Sequence, residues 1–475
     1  MPVLTFQHLR VYPFELESII EMEITQNISE HSRLMLKGTI KEEFKDHYVA
    51  MTEFDTTIIV KAEGLGADSP ILFQGITTRI DVNVLQGVYH LYVEAASFTY
   101  QLGLAKRSRS FQDKDMPLNE IVKSVIATIR DAGVFFRIDA NQKLYQFLVQ
   151  YHQSDWEFLT MLASILHTGI IADPTFPTPK IFFGIPQDTP AVTMMAINYT
   201  IEKTVGEDSA DFKWDGLRYF ISYRVKNHML LKMGQQVLFN GETLYVKSIV
   251  SKIEKGELMH EYCLTEMSGL YQRRIYNDNL IGVSLEAEVI DVQREKVKLH
   301  LAIDSVQDKA KACWFEYASI YNSGITSGVY MMPEIDDHVR LYFAGKYERE
   351  CFVTNSINKQ TRLTGRRDES EYGLERDRWK NHIVKSIKAN GKEIILAPDR
   401  IIMQATDVSI TWHDEEGIII TTKNNIKIRA NETIDISAAE VNIDGEEKVQ
   451  ITCGGSSIKL TPGGIKIDGS NIDID

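Results

Sequence analysis

Asp155 and Glu157 stand two apart in QSDWEFLTMLASIL (153–166), and paired carboxylates are what general acid–base chemistry requires. The same residues also have a structural account. Ser154 precedes an apolar helical run and Glu157 follows three positions later. That is the spacing of a capping box, in which the two side chains satisfy exposed backbone N–H groups. We assign the pair to helix initiation. His260 and Cys263 in MHEYC (259–263) come closest to a metal-ligand pair, but in a strand they face opposite sides and cannot share an ion. Cys263, Cys313, Cys351 and Cys453 are scattered without a CxxC spacing. This argues against disulfides and structural zinc, and they read as small buried apolar residues. No nucleophile elbow, Walker loop or HExxH segment occurs. The expectation is a protein with no catalytic residues, no metal and no cofactor, and therefore not an enzyme.

The most regular feature is a repeat near the C-terminus. Apolar residues recur as pairs two apart: Ile394/Leu396, Ile401/Met403, Val408/Ile410, Ile418/Ile420, Ile426/Ile428, Ile434/Ile436, Val441/Ile443, Val449/Ile451, Ile458/Leu460, Ile465/Ile467 and Ile472/Ile474. Successive pairs begin about seven to ten residues apart, a period that signals a repeat architecture. Members of a pair share one side of a strand and the residue between them, such as Lys427, Asp435, Lys459, Lys466 or Asp473, faces away. Turn formers separate the pairs, as in Lys423-Asn424-Asn425, Asp444-Gly445, Pro462-Gly463-Gly464 and Asp468-Gly469-Ser470. An antiparallel meander is one reading, but meander strands usually run five or six residues. We favour three identical chains wound together as a triple-stranded β-helix, each supplying one strand per rung. About eleven rungs at 4.8 Å would make a needle of roughly 50 Å. Its core would include Ile418, Ile420, Ile426, Ile428, Ile434, Ile436, Ile458, Leu460, Ile465 and Ile467, and folding would be coupled to trimer formation.

Upstream, residues 276–360 read as five short strands, LEAEVIDV (285–292), KVKLHLAID (296–304), CWFEYASI (313–320), DHVRLYFAG (337–345) and ERECFVTNSIN (348–358), which suit an OB-type barrel. Trp314, Phe315 and Tyr317 are expected in its core. Residues 1–275 mix strands such as TTIIVKAEG (56–64), LFQGITTRIDV (72–82) and YHLYVEAAS (89–97) with helices at PLNEIVKSVIATIRDAG (117–133) and from Ser154. Residues 361–392 open with a dense run of charges and read as a linker or collar before a needle at 393–475. The chain of 475 residues is thus mainly β, with several domains. A net charge of −14 argues against nucleic acid as a partner. No apolar run approaches the roughly 18 residues of a membrane span. The N-terminal residues lack the pattern of a signal peptide, so assembly in the cytoplasm is expected.

AEVIDVQREKVKLHLAID, CWFEYASIYNSG and GVYMMPEIDDHVRLYFAGKYERECFVTNSIN resemble the OB domain of VgrG and related contractile-tail spike proteins. SSIKLTPGGIKIDGSNIDID (456–475) resembles the end of the VgrG needle, and RSFQDKDMPLNEIVKSVI (109–126) and LVQYHQSDWEFLTMLASILHTGIIAD (148–173) resemble its hub. Asp336 stands where that family has a turn glycine, the turn Gln293-Arg294-Glu295 lacks another, and His152-Gln153 interrupts a glutamate position. The resemblance implies a hub of two related β-barrels with inserted helices and a homotrimeric central spike. It also implies contacts with the inner tail-tube protein and other baseplate proteins. The class includes phage tails, tailocins, extracellular contractile particles and type VI secretion, and implies delivery outward as part of the particle. No histidine follows His413, so a metal-closed tip is not expected. A separate PAAR-type protein is then expected on Ile472, Asp473, Ile474 and Asp475. The competing function class is a tail-associated hydrolase of envelope polysaccharide.

Overall fold

The computed structural model describes residues 3–53, 55–63, 69–186, 190–206, 218–318, 321–322, 328–329, 332–357, 385–389 and 391–473. The chain divides into two compact units near residue 361. The mainly β class holds, and no helix among the described residues is long and apolar enough to cross a membrane.

In the first unit, strands from both ends of the N-terminal half merge. Their order is Leu9–Tyr12, Thr57–Ala62, Ile71–Leu85, Val88–Ser97, Arg33–Ile40, Ser18–Asn27, Glu242–Glu254, Glu257–Thr265, Arg218–Asn227 and Tyr199–Gly206, with Gln236–Phe239 and Val192–Met194 branching from Glu242–Glu254. The strands that the resemblance divides between two barrels therefore run as one sheet, with no closed barrel among the described residues. The seam is the antiparallel pairing of Ser248 with Asn27 through Lys252 with Glu23. Two apolar cores survive beneath the shared sheet. One gathers Ile24, Leu34, Leu36, Ile58, Phe73 and Val93, and the other Val225, Phe239, Val246, Tyr262 and Leu264. Long strands explain the fusion. Glu242–Glu254 has 13 residues, enough to pair with Gln236–Phe239, Glu257–Thr265 and Ser18–Asn27 along its length.

A helical module occupies residues 102–183, where Leu118, Ile121, Val122, Val125 and Ile126 pack against Phe158, Leu159 and Leu162. The first helix spans Leu118–Ile126, shorter than the sequence pattern predicts. Ile129, expected on its face, still packs against the module's core from beyond the helix end. Thr128 bonds Val125 O and Asp155 instead of continuing the helix, and Asp131 adopts φ 58°. The second helix, Asp155–Ile165, carries the predicted capping box. Glu157 N donates to Ser154 Oγ at 3.2 Å and Ser154 N donates to Glu157 Oε2 at 2.7 Å.

Residues 284–357 form a five-stranded sheet ordered Trp314–Glu316, Lys296–Leu301, Ser284–Gln293, His338–Tyr342, Phe352–Ile357. Its two edges touch where Tyr317 bridges Val353 and Ala318 N donates to Val353 O at 2.8 Å. Phe315 is buried as expected. Trp314 is only half-buried, with Lys298 Nζ 5.1 Å from its ring centroid, because its strand has just three residues and lies at the sheet edge. Phe147 from the helical module completes this core against Phe315, at 5.1 Å between centroids.

The two turns where the family resemblance expects glycine explain the departure. Arg294 has φ 53° and Asp336 φ 73°, both in the left-handed region that costs a Cβ-bearing residue about 1–2 kcal/mol. Aspartate tolerates this better than arginine. We therefore expect Arg294→Gly to stabilise the fold by up to about 1 kcal/mol and Asp336→Gly by less, after the greater unfolded-state freedom of glycine is deducted. Thermal melting of the two variants beside the parent checks the order. A drop in both would show that these side chains hold their turns.

The second unit contains two antiparallel meanders. One comprises Lys385–Ala389, Lys392–Leu396, Arg400–Ala405, Val408–His413 and Gly417–Thr422, and the other Val449–Cys453, Ser456–Thr461 and Gly464–Asp468. Strands here are five or six residues long, longer than the three patterned positions, and pair within the chain. Left-handed glycines make the turns tight enough for such pairing, as at Gly417 (φ 81°) and Gly454 (φ 54°). Residues 423–448 contain no strand. Most of the expected collar, 361–384 and 390, lies outside the described residues, as do the tip residues Ile474 and Asp475.

Candidate functional site: an uncovered apolar face

The paired residues of the repeat stack across strands. In the first meander Ile394 faces Met403, Met403 faces Ile410 and Ile410 faces Ile420. Beside them run Leu396, Ile401, Trp412 and Ile418, again directly opposite one another. In the second meander the ladders are Val449–Leu460–Ile465 and Ile451–Ile458–Ile467. Period-two alternation places every member on one face of its sheet. Trp412 is a ladder residue that pair counting missed. Its signal was its place two beyond Ile410 in the same strand.

Among the described residues nothing covers this apolar face. Ile418 is 68% exposed and Ile465 70%, and Ile420, Ile458, Leu460 and Ile467 are exposed as well; outside the strands Ile426, Ile428, Ile434, Ile436 and Ile472 are also exposed. Asp473 is exposed beside Ile472. Among the described residues of this unit only Glu393 and Ile395 are buried. They lie on the face opposite Ile394 and Leu396, with Gln404 Nε2 donating to Glu393 Oε2 at 3.1 Å. Within one chain the assignment of inner and outer faces is thus reversed at this strand. In strand Lys392–Leu396 the paired Ile394 and Leu396 are exposed, and Glu393 and Ile395 beside them are buried. Burying one exposed isoleucine is worth about 1.5–3 kcal/mol, so an apolar face this extensive marks an interaction surface.

The residues weighed for chemistry occupy structural positions. Asp155, 2% exposed, accepts from Arg109 Nη2 (2.6 Å), Gln150 Nε2 (3.1 Å), Thr128 Oγ1 (2.9 Å) and Arg107 Nε (3.2 Å). Glu157 caps its helix and is paired with Lys106, whose ammonium draws its carboxyl down against the opposing effect of burial. His260 is buried while Cys263 occupies the other face of strand Glu257–Thr265, as strand geometry requires. The cysteines differ from their expected burial. Cys313 is buried and burial pushes its thiol up to about 11, but Cys263 and Cys351 are half-buried and Cys453 is exposed. Cys453 continues the Val449/Ile451 face, which explains its exposure in a single chain. Among the described residues, no group of three or more His, Cys, Asp or Glu is placed to hold a metal ion.

Comparison with known proteins places this architecture. A chain of the Francisella PdpA–VgrG complex in its half-lidded form matches with a TM-score of 0.53 at 10% identity, over 88% of this chain and 88% of that one. A chain of a lidless PdpA–VgrG complex matches with a TM-score of 0.54 at 9% identity, over 86% of this chain and 94% of that one. An E. coli component of the type VI secretion system, described as structurally similar to the T4 bacteriophage tail proteins gp27 and gp5, gives 0.47 at 10% identity, over 74% and 99% of the two chains. A family model for the Alg8 N-terminal domain matches residues 55–173, which begin within the large sheet and end in the helical module. No curated protein matches the sequence. With its two PdpA–VgrG likenesses covering 86–88% of its length, the chain has a VgrG-like fold.

Proposed function

We propose that this protein is the trimeric central spike of a contractile injection machine. The observation that carries the reading is the uncovered double ladder of isoleucines in the second unit. Two further copies of this chain would cover it, since identical chains bring identical stripes to a common axis. Residues 423–448, without strand pairing of their own, would find partners in the other copies. A second uncovered surface supports the same assembly. Met195, Ile197, Tyr199 and Ile201 alternate along an exposed run into Tyr199–Gly206, the edge strand of the large sheet.

The mechanism is mechanical. The first unit would meet the inner tail-tube protein and other baseplate proteins, the five-stranded sheet serving as an OB-type connector. The triple-stranded β-helix would lead through the target envelope, transmitting force through dense main-chain hydrogen bonding. The particle would be assembled in the cytoplasm and delivered outward. A separate PAAR-type protein would close the last strands at 465–475, held by main-chain pairing and the plug of Ile472 and Ile474. No catalysis is required, and a peptidoglycan zymogram should show no cleared band. The cap is tested by co-purification with full-length protein and with a form lacking 470–475. Recovery should be lost with the truncated form, and equal recovery would move the cap elsewhere.

Cys453 reports on the same interface. In a trimer it faces the axis beside Ile451, so a thiol reagent should label it far more slowly in the native protein than after denaturation. Rapid labelling of the native protein would place this face outside the core.

A further inference from the structure

The first unit contains a cavity of about 290 Å³ that the spike role does not use. Its walls are mainly apolar, from Ile71, Leu72, Ile171, Phe182, Met233 and Ile249. His260 also lines it and is only 2% exposed. Its Nδ1 is 2.7 Å from Ser251 Oγ, while its Nε2 is buried and without a hydrogen-bond partner. Such an orphan is costly in an apolar setting and points to a missing partner. Burial holds this imidazole down to about 4, so it is neutral at physiological pH. A neutral Nε2 donates in one tautomer and accepts in the other. A hydroxyl satisfies either. Arg137 and Lys232 also line the cavity and their side chains are exposed, so they bring positive charge where it meets solvent, unlike the buried His260. Asp173, also lining it, is engaged by Thr175 N at 2.9 Å and Thr175 Oγ1 at 2.6 Å.

We propose that this cavity binds a medium-chain hydroxylated carboxylate, its hydroxyl on His260, its aliphatic body against the apolar walls and its carboxylate at Arg137 and Lys232. The dimensions fall near the lower end of ordinary small-molecule sites, which are mostly apolar with a few placed polar groups.

Calorimetric titration of the full-length protein with 10-hydroxydecanoate tests this. Saturable binding at one site per chain is expected. Decanoate, lacking the terminal hydroxyl, should bind about tenfold more weakly because His260 stays unpartnered. Lys232→Glu, an exposed change that leaves the fold intact, should weaken binding about fivefold. Leu230→Trp, which fills the lined space, should abolish it. Absence of saturable binding would overturn the proposal and leave an ordered water as the partner of His260. Equal affinity for the two acids, or unchanged affinity in Lys232→Glu, would also overturn it.

Discussion

Ile434→Asp in the full-length chain is expected to abolish the proposed trimer, whereas Asp435→Asn should leave it unchanged. Ile434 is exposed among the described residues and sits in the stretch without intrachain strands, so the proposed trimer would bury it against two further copies. In a threefold needle the substitution puts three carboxylates into one axial layer. Taking each from water costs several kcal/mol, and their mutual repulsion adds to it. The total exceeds the roughly 1.5–3 kcal/mol gained by any single isoleucine it must compete with. Asp435, between the paired positions and exposed in the single chain, would stay solvated on the outside of such a needle. The expected readouts are loss of the trimer mass and a large fall in melting temperature for Ile434→Asp alone. If both variants assemble and melt like the parent, Ile434 does not face the axis.

Asp155→Ala should be the most damaging single change in the first unit. Its carboxylate is the common acceptor for Arg107, Arg109, Gln150 and Thr128, and so ties strand Lys106–Phe111, strand Leu148–Ser154 and both helices of the module together. Truncation leaves the largely buried Arg109, which burial already shifts downward from its usual range, without its counter-charge. Removing one partner of a buried pair typically costs about 3–5 kcal/mol. Glu157→Ala, two residues on, loses a capping box and an exposed pair with Lys106, and should cost about 1 kcal/mol. Denaturant titration of both variants separates the two roles. Equal and small losses would mean that the network around Asp155 adds little.

Where sequence and structure agree, short-range rules were in control. Ser154 and Glu157 are three residues apart and need no distant partner to form their capping box. Ser284–Gln293, Lys296–Leu301 and His338–Tyr342 alternate strictly enough for their buried faces to be read residue by residue. Arg294 and Asp336 could be picked out as unusual because the family resemblance expects glycine there, and their positive φ gives the reason. Long-range pairing was less legible. Nothing local in Ser18–Asn27 says that it will meet Glu242–Glu254 and fuse the expected barrels into one sheet. Strand ends also escaped the pattern. Trp314 looked like a core residue, but its strand has only three residues and leaves the indole half-covered by Lys298. In the tail, the pairs were legible because they repeat. Which face is covered was not, because in strand Lys392–Leu396 it is Glu393 and Ile395, not the paired Ile394 and Leu396, that are buried.

The most direct test of this account is the mass of the purified protein in solution. Size-exclusion chromatography with light scattering should give about three times the chain mass of 54.2 kDa, with no folded monomer at equilibrium. A stable, monodisperse species at 54.2 kDa with the native circular dichroism spectrum would contradict it.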